Sequence, residues 1–146
     1  MTTADQCAGV VMETIPPIMR FIRAEMRRHG APGLSMPQFR ALAFLRAAPG
    51  SSLSSVADHL GVTPSTASII TERLVRGGLI TRVTDPIERR RVILTLTPEG
   101  ERLVEQARVA TRQKLAAFLE NLPPQQLQAI EAGLEALGVA FKEIVR

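Results

Sequence analysis

Residues 53–76, LSSVADHLGVTPSTASIITERLVR, carry two short apolar-periodic runs separated by Gly61-Val62-Thr63. In the first run Val56, Ala57 and Leu60 share one helical face. Gly61 follows at once, where a helix end favours a residue that turns left-handed without strain. The second run opens with Thr63 as N-cap and Pro64 at the first helical position, where a missing amide costs nothing. Ala67, Ile70 and Leu74 then face inward, and Gly77-Gly78 stops the run. The spacing predicts helices at about 53–60 and 64–76 joined by a tight reversal, a helix-turn-helix. Ser65, Thr66, Ser68 and Ile69 fall on the outer face of the second helix. Hydroxyls placed there can bond base edges or phosphates, and an isoleucine can touch a thymine methyl group. The same hydroxyls also serve as caps or simply meet water, so none is diagnostic alone.

Working outward, Ser35 reads as the N-cap of a preceding helix with Phe39, Leu42, Ala43 and Leu45 on its apolar stripe, ending before Pro49-Gly50. On the other side, Leu79–Thr84 and Arg91–Thr97 are β-rich and flank the polar stretch Asp85-Pro86-Ile87-Glu88-Arg89-Arg90. That pattern predicts a two-stranded hairpin with a charged tip. Residues 1–15 are weakly patterned, and Pro16-Pro17 is expected to interrupt a helix or to begin one. Ile18, Met19, Ile22 and Met26 recur at helical spacing up to the stop Gly30-Ala31-Pro32-Gly33. Thr97-Pro98 starts a long helix to about Asn121, and Pro123-Pro124 starts a last one in which Leu127, Ile130, Leu134, Leu137 and Phe141 repeat every three or four residues. The fold class expected is mainly α with a small antiparallel β-hairpin, a winged helix-turn-helix carried by helical flanks. Three segments follow: 1–34 and 98–146 flanking a central 35–97.

Charge singles out the central segment. Between Met36 and Pro98 stand eight arginines and four acids, whereas the flanks hold ten basic and ten acidic residues. The whole net charge of +4 therefore lies in the middle of the chain, the footprint of a module facing a polyanion. Arg89, Arg90 and Arg91 at the hairpin tip suit the negative minor groove. Asp85 and Glu88 beside them are expected to brace the arginine stems and to hold the loop in shape. Exposed ion pairs contribute only about 0–1 kcal/mol, so stability alone is a poor reason for five charges there.

Taken together, these motifs resemble the MarR family of bacterial regulators from Ser35 to about Leu103. Ser35-Met36-Pro37-Gln38-Phe39 resembles the family's entry to its second helix, and Leu60-Gly61-Val62-Thr63-Pro64-Ser65-Thr66 the turn into its recognition helix. Arg73-Leu74 with Gly78-Leu79-Ile80-Thr81-Arg82 is similar to the exit and first wing strand, and Asp85–Arg90 with Leu94–Gly100 to the wing and its return. The resemblance implies a homodimer on double-stranded DNA, with half-sites about 10 base pairs apart. It implies that Arg90 enters the minor groove and that Thr63, Arg73, Arg76, Arg82, Arg89 and Arg91 contact the backbone. The first helix and the last two would form the dimer, through Ile18, Ile22, Leu115, Phe118, Leu127, Ile130, Leu134, Leu137 and Phe141. Repression is the implied output, and a small apolar or aromatic effector an implied partner. This chain departs from the pattern at Glu88, where aspartate is usual, at Ile69, where many members carry arginine or another polar base-reader, and at Pro16-Pro17, which interrupts a helix that is usually continuous.

Other functions find little support. Aromatic residues make up 3% of the chain, with no Trp or Tyr, so stacking platforms for single strands are not expected and the core should be aliphatic. The lone Cys7 excludes an internal disulfide and lacks a motif that would activate it. His29 and His59 have no metal-ligand spacing, and no phosphate loop or nucleophile elbow occurs, so neither cofactor nor enzyme activity is expected. Neither a signal peptide nor an apolar stretch near membrane-spanning length is visible, so a cytoplasmic protein without membrane contact is expected. Met12, Ile15, Met19 and Met26 are expected either to pack in the core or to line an adaptable apolar cavity. The rival reading is a winged helix that docks proteins and does not bind DNA.

Overall fold

The computed structural model describes residues 1–30, 33–142 and 144. In chain order the elements are α1 (Ala4–Arg28), α2 (Met36–Ala47), β1 (Ser51–Ser52), α3 (Leu53–Leu60), α4 (Pro64–Arg76), β2 (Ile80–Thr84), β3 (Val92–Leu96), α5 (Pro98–Leu119) and α6 (Pro124–Phe141). They form two compact units, Met1–Thr111 and Arg112–Arg146.

In the first unit the caps explain the element boundaries. Ser35 and Gln38 bond each other's backbone amides in a capping box that starts α2. Ser52 accepts from the Ser55 amide at 3.2 Å and starts α3. Gly61 closes α3 in the left-handed region, with φ 69°, a conformation that costs any residue with a Cβ. Thr63 accepts from the Thr66 amide at 3.2 Å, and Pro64 sits in the first turn of α4. The helix-turn-helix thus has the boundaries that its sequence predicts.

The sheet is antiparallel in the order β1-β3-β2. The expected hairpin is present, with Thr84 opposite Val92 and Ile80 opposite Leu96. Its strands are slightly shorter than expected, because Leu79 lies buried ahead of β2 and Thr97 leaves β3 to cap α5. A third strand, β1, pairs Ser51 with Leu94 and Ser52 with Ile93. Two residues are too few to show alternation, so it leaves no mark in the sequence.

Beneath the sheet, Phe39, Leu42, Leu45, Val56, Leu74, Ile80, Leu94 and Val104 form one core. Apart from Phe39 it is aliphatic, as the composition implies. The first half of α5 belongs to this unit through buried Leu103, Val104 and Ala107.

One expectation is corrected at the N-terminus. Pro16 and Pro17 lie inside α1, which runs unbroken from Ala4 and is started by a capping box between Thr3 and Gln6. Each proline removes the amide that would bond the carbonyl four residues earlier. Those carbonyls belong to Met12 and Glu13, both exposed, where water replaces the missing partner. The expected helix stop lies partly outside the described residues, at Ala31 and Pro32; α1 itself ends at Arg28.

In the second unit Leu122 donates its amide to Leu119 at 3.0 Å, turning the chain from the end of α5 toward α6. Pro124 occupies the first turn of α6, and no residue of that helix is buried. No helix of the described residues is long and apolar enough to cross a membrane.

Candidate nucleic-acid interface

Cap chemistry sets what α4 presents. Thr63 uses its hydroxyl oxygen on the Thr66 amide and donates its proton to Thr66 Oγ1 at 3.1 Å. Ser65, Thr66 and Ile69 are exposed and Ser68 is half-buried, whereas Ala67, Thr71 and Leu74 are buried beneath them. Farther along the same face Ser68, Ile69, Arg73 and Arg76 line a surface hollow of about 290 Å3 together with Glu72. Glu72 was not foreseen as part of this face. It accepts a hydrogen bond from Arg82 Nη1 at 3.4 Å and forms an ion pair with Arg76 Nε, also at 3.4 Å. The i,i+4 spacing to Arg76 was a visible signal; the partner on β2 was not.

The wing is held by its backbone. Asp85 donates its amide to Arg91 O, and Arg91 donates to Glu88 O, both at 2.8 Å. The Asp85 carboxylate accepts from the Ile87 amide at 2.9 Å, a side-chain turn that fixes the tip. The acids therefore do not brace arginine stems as expected. Among the described residues no ion pair joins Asp85 or Glu88 to Arg89, Arg90 or Arg91, and Arg73 is unpaired as well. Three exposed guanidinium groups that make no ion pair thus project from the tip. Residues 87–91 form one wall of a cleft of about 760 Å3, whose other wall is Ser52 and Ser54. Neither serine carries a signal in the sequence that would mark it as part of the site.

Ile18 and Phe118 are exposed, Ile22, Leu115 and Leu137 half-buried, and Leu127, Ile130, Leu134 and Phe141 exposed. Cys7 is exposed and unbridged. His29 pairs with buried Glu25 at 3.3 Å. His59 stacks on Phe44 with ring centroids 4.4 Å apart. Burial, then Arg40, then Arg23 lower the His59 pKa below its ordinary value. Among the described residues no group of His, Cys, Asp or Glu is arranged to hold a metal. An apolar cavity of about 240 Å3 is lined by Met19, Ile22, Met26 and Phe39, with Arg23, Arg40 and His59 also on its walls. Of the four residues considered for such a cavity, Met19 and Met26 line it and Met12 and Ile15 do not.

A helix-turn-helix whose second helix shows hydroxyls and arginines, followed by an arginine-tipped hairpin, defines a winged helix-turn-helix regulator of transcription. Residues 33–91 match the MarR family. The HTH-type transcriptional repressor Rv2887 of Mycobacterium tuberculosis is 31% identical over 106 residues, which are 73% of this chain and 76% of that protein. The chain belongs to the MarR family of DNA-binding transcriptional regulators, and its role is regulatory, not enzymatic. The crystal structure of Rv1404 from Mycobacterium tuberculosis is similar with a TM-score of 0.75 and 25% identity, covering 96% of this chain and 95% of that one. The PcaV transcriptional regulator of Streptomyces coelicolor, solved with its natural ligand, is similar with a TM-score of 0.56 and 25% identity, covering 96% and 99%.

Proposed function

We propose that this protein is a cytoplasmic, homodimeric repressor that binds a pseudo-palindromic operator and is released by a small apolar or aromatic ligand. The reading rests above all on the juxtaposition of exposed Ser65, Thr66 and Ile69 on α4 with the unpaired arginines of the wing. The helix start enters the major groove, where Ser65, Thr66, Ser68 and Ile69 meet base edges. Arg90 lies in the adjoining minor groove, and Thr63, Arg73, Arg76, Arg82, Arg89 and Arg91 face phosphates. With its hydroxyl spent on the cap, Thr63 contributes by orienting the helix start. Asp85 and Glu88 shape the wing backbone that carries Arg90.

Residues 35–97 would be the DNA-binding part, with 1–34 and 98–146 forming the dimer. An α6 with no buried residue supports this, because apolar surface of that extent calls for a partner. The effector site we assign is the cavity of Met19, Met26 and Phe39, where methionines adapt to shape and Arg23 and Arg40 favour an anionic group. PcaV, solved with a ligand, supports a ligand-controlled reading. A ligand acts there only if it binds the DNA-free arrangement better than the bound one.

Fluorescence anisotropy across a salt series, on DNA upstream of the protein's own gene and on selected genomic fragments, tests this reading. Tight selective binding with a steep salt slope, weakened by Arg90→Ala, is expected. Selective binding indifferent to Arg90→Ala would remove the wing assignment. Absence of selective binding on any fragment would favour a protein-docking role.

A further inference from the structure

The wing tip carries an apolar side chain that the fold does not use. Ile87 is 91% exposed, and its neighbours in the cleft are Glu88, Arg89, Arg90 and Arg91. A solvent-facing turn gains nothing from an isoleucine, and polar residues are the rule there. Nor is the residue on a loose loop. Pro86 restricts the backbone before it, the Asp85 carboxylate holds its amide at 2.9 Å, and the Asp85–Arg91 and Arg91–Glu88 bonds close the turn behind it. The side chain is thus presented in a set direction, beside three guanidinium groups that form no ion pair among the described residues. Such a surface suits an occupant that is a polyanion on its edges and apolar within. Duplex DNA meets both conditions, because the minor groove is walled by sugars and floored by stacked bases.

We propose that Ile87 is a minor-groove wedge. Resting on the wing reading above, it would enter beside Arg90 and press its branched side chain against one base step, partly unstacking it and bending the duplex. Arginine alone reads groove width and potential; an apolar wedge adds a preference for steps that open easily. Pyrimidine–purine steps are the deformable ones. The operator should therefore carry such a step under each wing, and replacing it with a stiff A-tract should weaken binding although no hydrogen bond is lost.

The test uses the full-length protein and an operator duplex recovered by selection from genomic fragments. Affinity, salt slope and end-to-end energy transfer are measured for wild type, Ile87→Ala, Ile87→Arg and Arg90→Ala. Ile87→Ala is expected to weaken binding about tenfold, in line with losing one buried isoleucine. It should also straighten the duplex, with the salt slope unchanged because no charge is removed. Ile87→Arg is expected to steepen the salt slope by about one phosphate contact per wing, so about two per dimer, without restoring the bend. Ile87 is exposed at a turn, so folding should be unaffected, and thermal unfolding of each variant confirms that. Should Ile87→Ala bind and bend like wild type while Arg90→Ala weakens binding, the wedge is overturned and the wing assignment stands. If neither variant changes binding, the wedge and the wing assignment fall together.

Discussion

Glu72 of α4 and Arg82 of β2 are joined across the angle between recognition helix and wing, guanidinium to carboxylate at 3.4 Å. The same carboxylate takes Arg76 at 3.4 Å. Exposed pairs of this kind contribute at most about 1 kcal/mol to stability. The larger consequence is electrostatic, because one acid offsets two of the arginines assigned to phosphates. Glu72→Gln should leave the melting temperature nearly unchanged and raise affinity for non-operator DNA, on the order of threefold at moderate salt. Operator affinity should rise less, so selectivity falls. Anisotropy on operator and scrambled duplexes measures both. A drop in non-specific affinity would mean that Arg76 and Arg82 need Glu72 for positioning more than they suffer from its charge.

Gly100 packs against the carbonyl of Leu79 so closely that a methyl group there would overlap the oxygen and lie 3.1 Å from the carbonyl carbon. This contact seats the start of α5 on the lead into β2. Thr97 reinforces it, donating its hydroxyl to Gly78 O at 2.6 Å, accepting from the Gly100 amide at 3.1 Å and donating its own amide to Leu79 O at 3.0 Å. Alanine is the better helix former by about 1 kcal/mol, but here α5 must shift and loosen those bonds. Gly100→Ala should destabilise the protein by about 2–3 kcal/mol. Gly9→Ala and Gly133→Ala, whose added carbons meet nothing within 4 Å, should be neutral or stabilising. Thermal and urea unfolding decide, and a neutral Gly100→Ala would show that α5 can move away freely.

What could be read from the chain was what is decided locally. Gly61 and Thr63-Pro64 placed the turn and the start of α4 to the residue, because a left-handed C-cap and a prolyl first turn each tolerate few residue types. Pro16-Pro17 misled because the penalty for proline depends on whether the orphaned carbonyls meet water, and that is a property of burial. β1 was illegible at two residues, since its existence depends on Leu94 and Ile93 more than forty positions away. The outer face of α4 was legible from periodicity, yet the partnership of Glu72 with Arg82 was not. Ten residues and a change from helix to strand separate the two, and only the packed turn at Gly77-Gly78 brings them together. The same limit explains the acids of the wing, which looked like partners for arginine: the Asp85 carboxylate serves the turn backbone, and Glu88 enters the turn through its main-chain carbonyl.

His59 gives the protein a pH-dependent component of stability. Burial, Arg40 and Arg23 lower its pKa in the folded state below the ordinary 6.5. As pH falls through 6.5 the unfolded chain takes up the proton first, so the folded state loses ground. The contribution is complete above the unfolded value and declines until the lowered folded value is passed. Urea midpoints at about pH 7.5 and about pH 5.5 should differ more for wild type than for His59→Gln. Equal differences would show that other groups carry the acid sensitivity. Because His59 lines the cavity assigned to the effector, the same acidification adds positive charge beside Arg23 and Arg40, which should tighten binding of an anionic ligand.

The exposed face of α6 makes the dimer testable by a single charge. Leu127, Ile130, Leu134, Leu137 and Phe141 are spaced three and four apart, the seam that helices use to pair. Leu134 is 52% exposed within the chain, so an aspartate there meets no core and should leave each protomer folded. In a helical interface it would bury an unpaired carboxylate, which costs far more than the apolar contact it replaces. Leu134→Asp should therefore halve the mass in sedimentation equilibrium while the helical circular dichroism signal is kept. Operator affinity should collapse, because two half-sites bound by separate protomers no longer add their free energies in one event. Non-specific binding, which each head makes alone through its arginines, should persist with a salt slope reduced by about half. A variant that stays dimeric would place the interface on another face, and one that is monomeric with operator affinity intact would remove dimerisation from the mechanism.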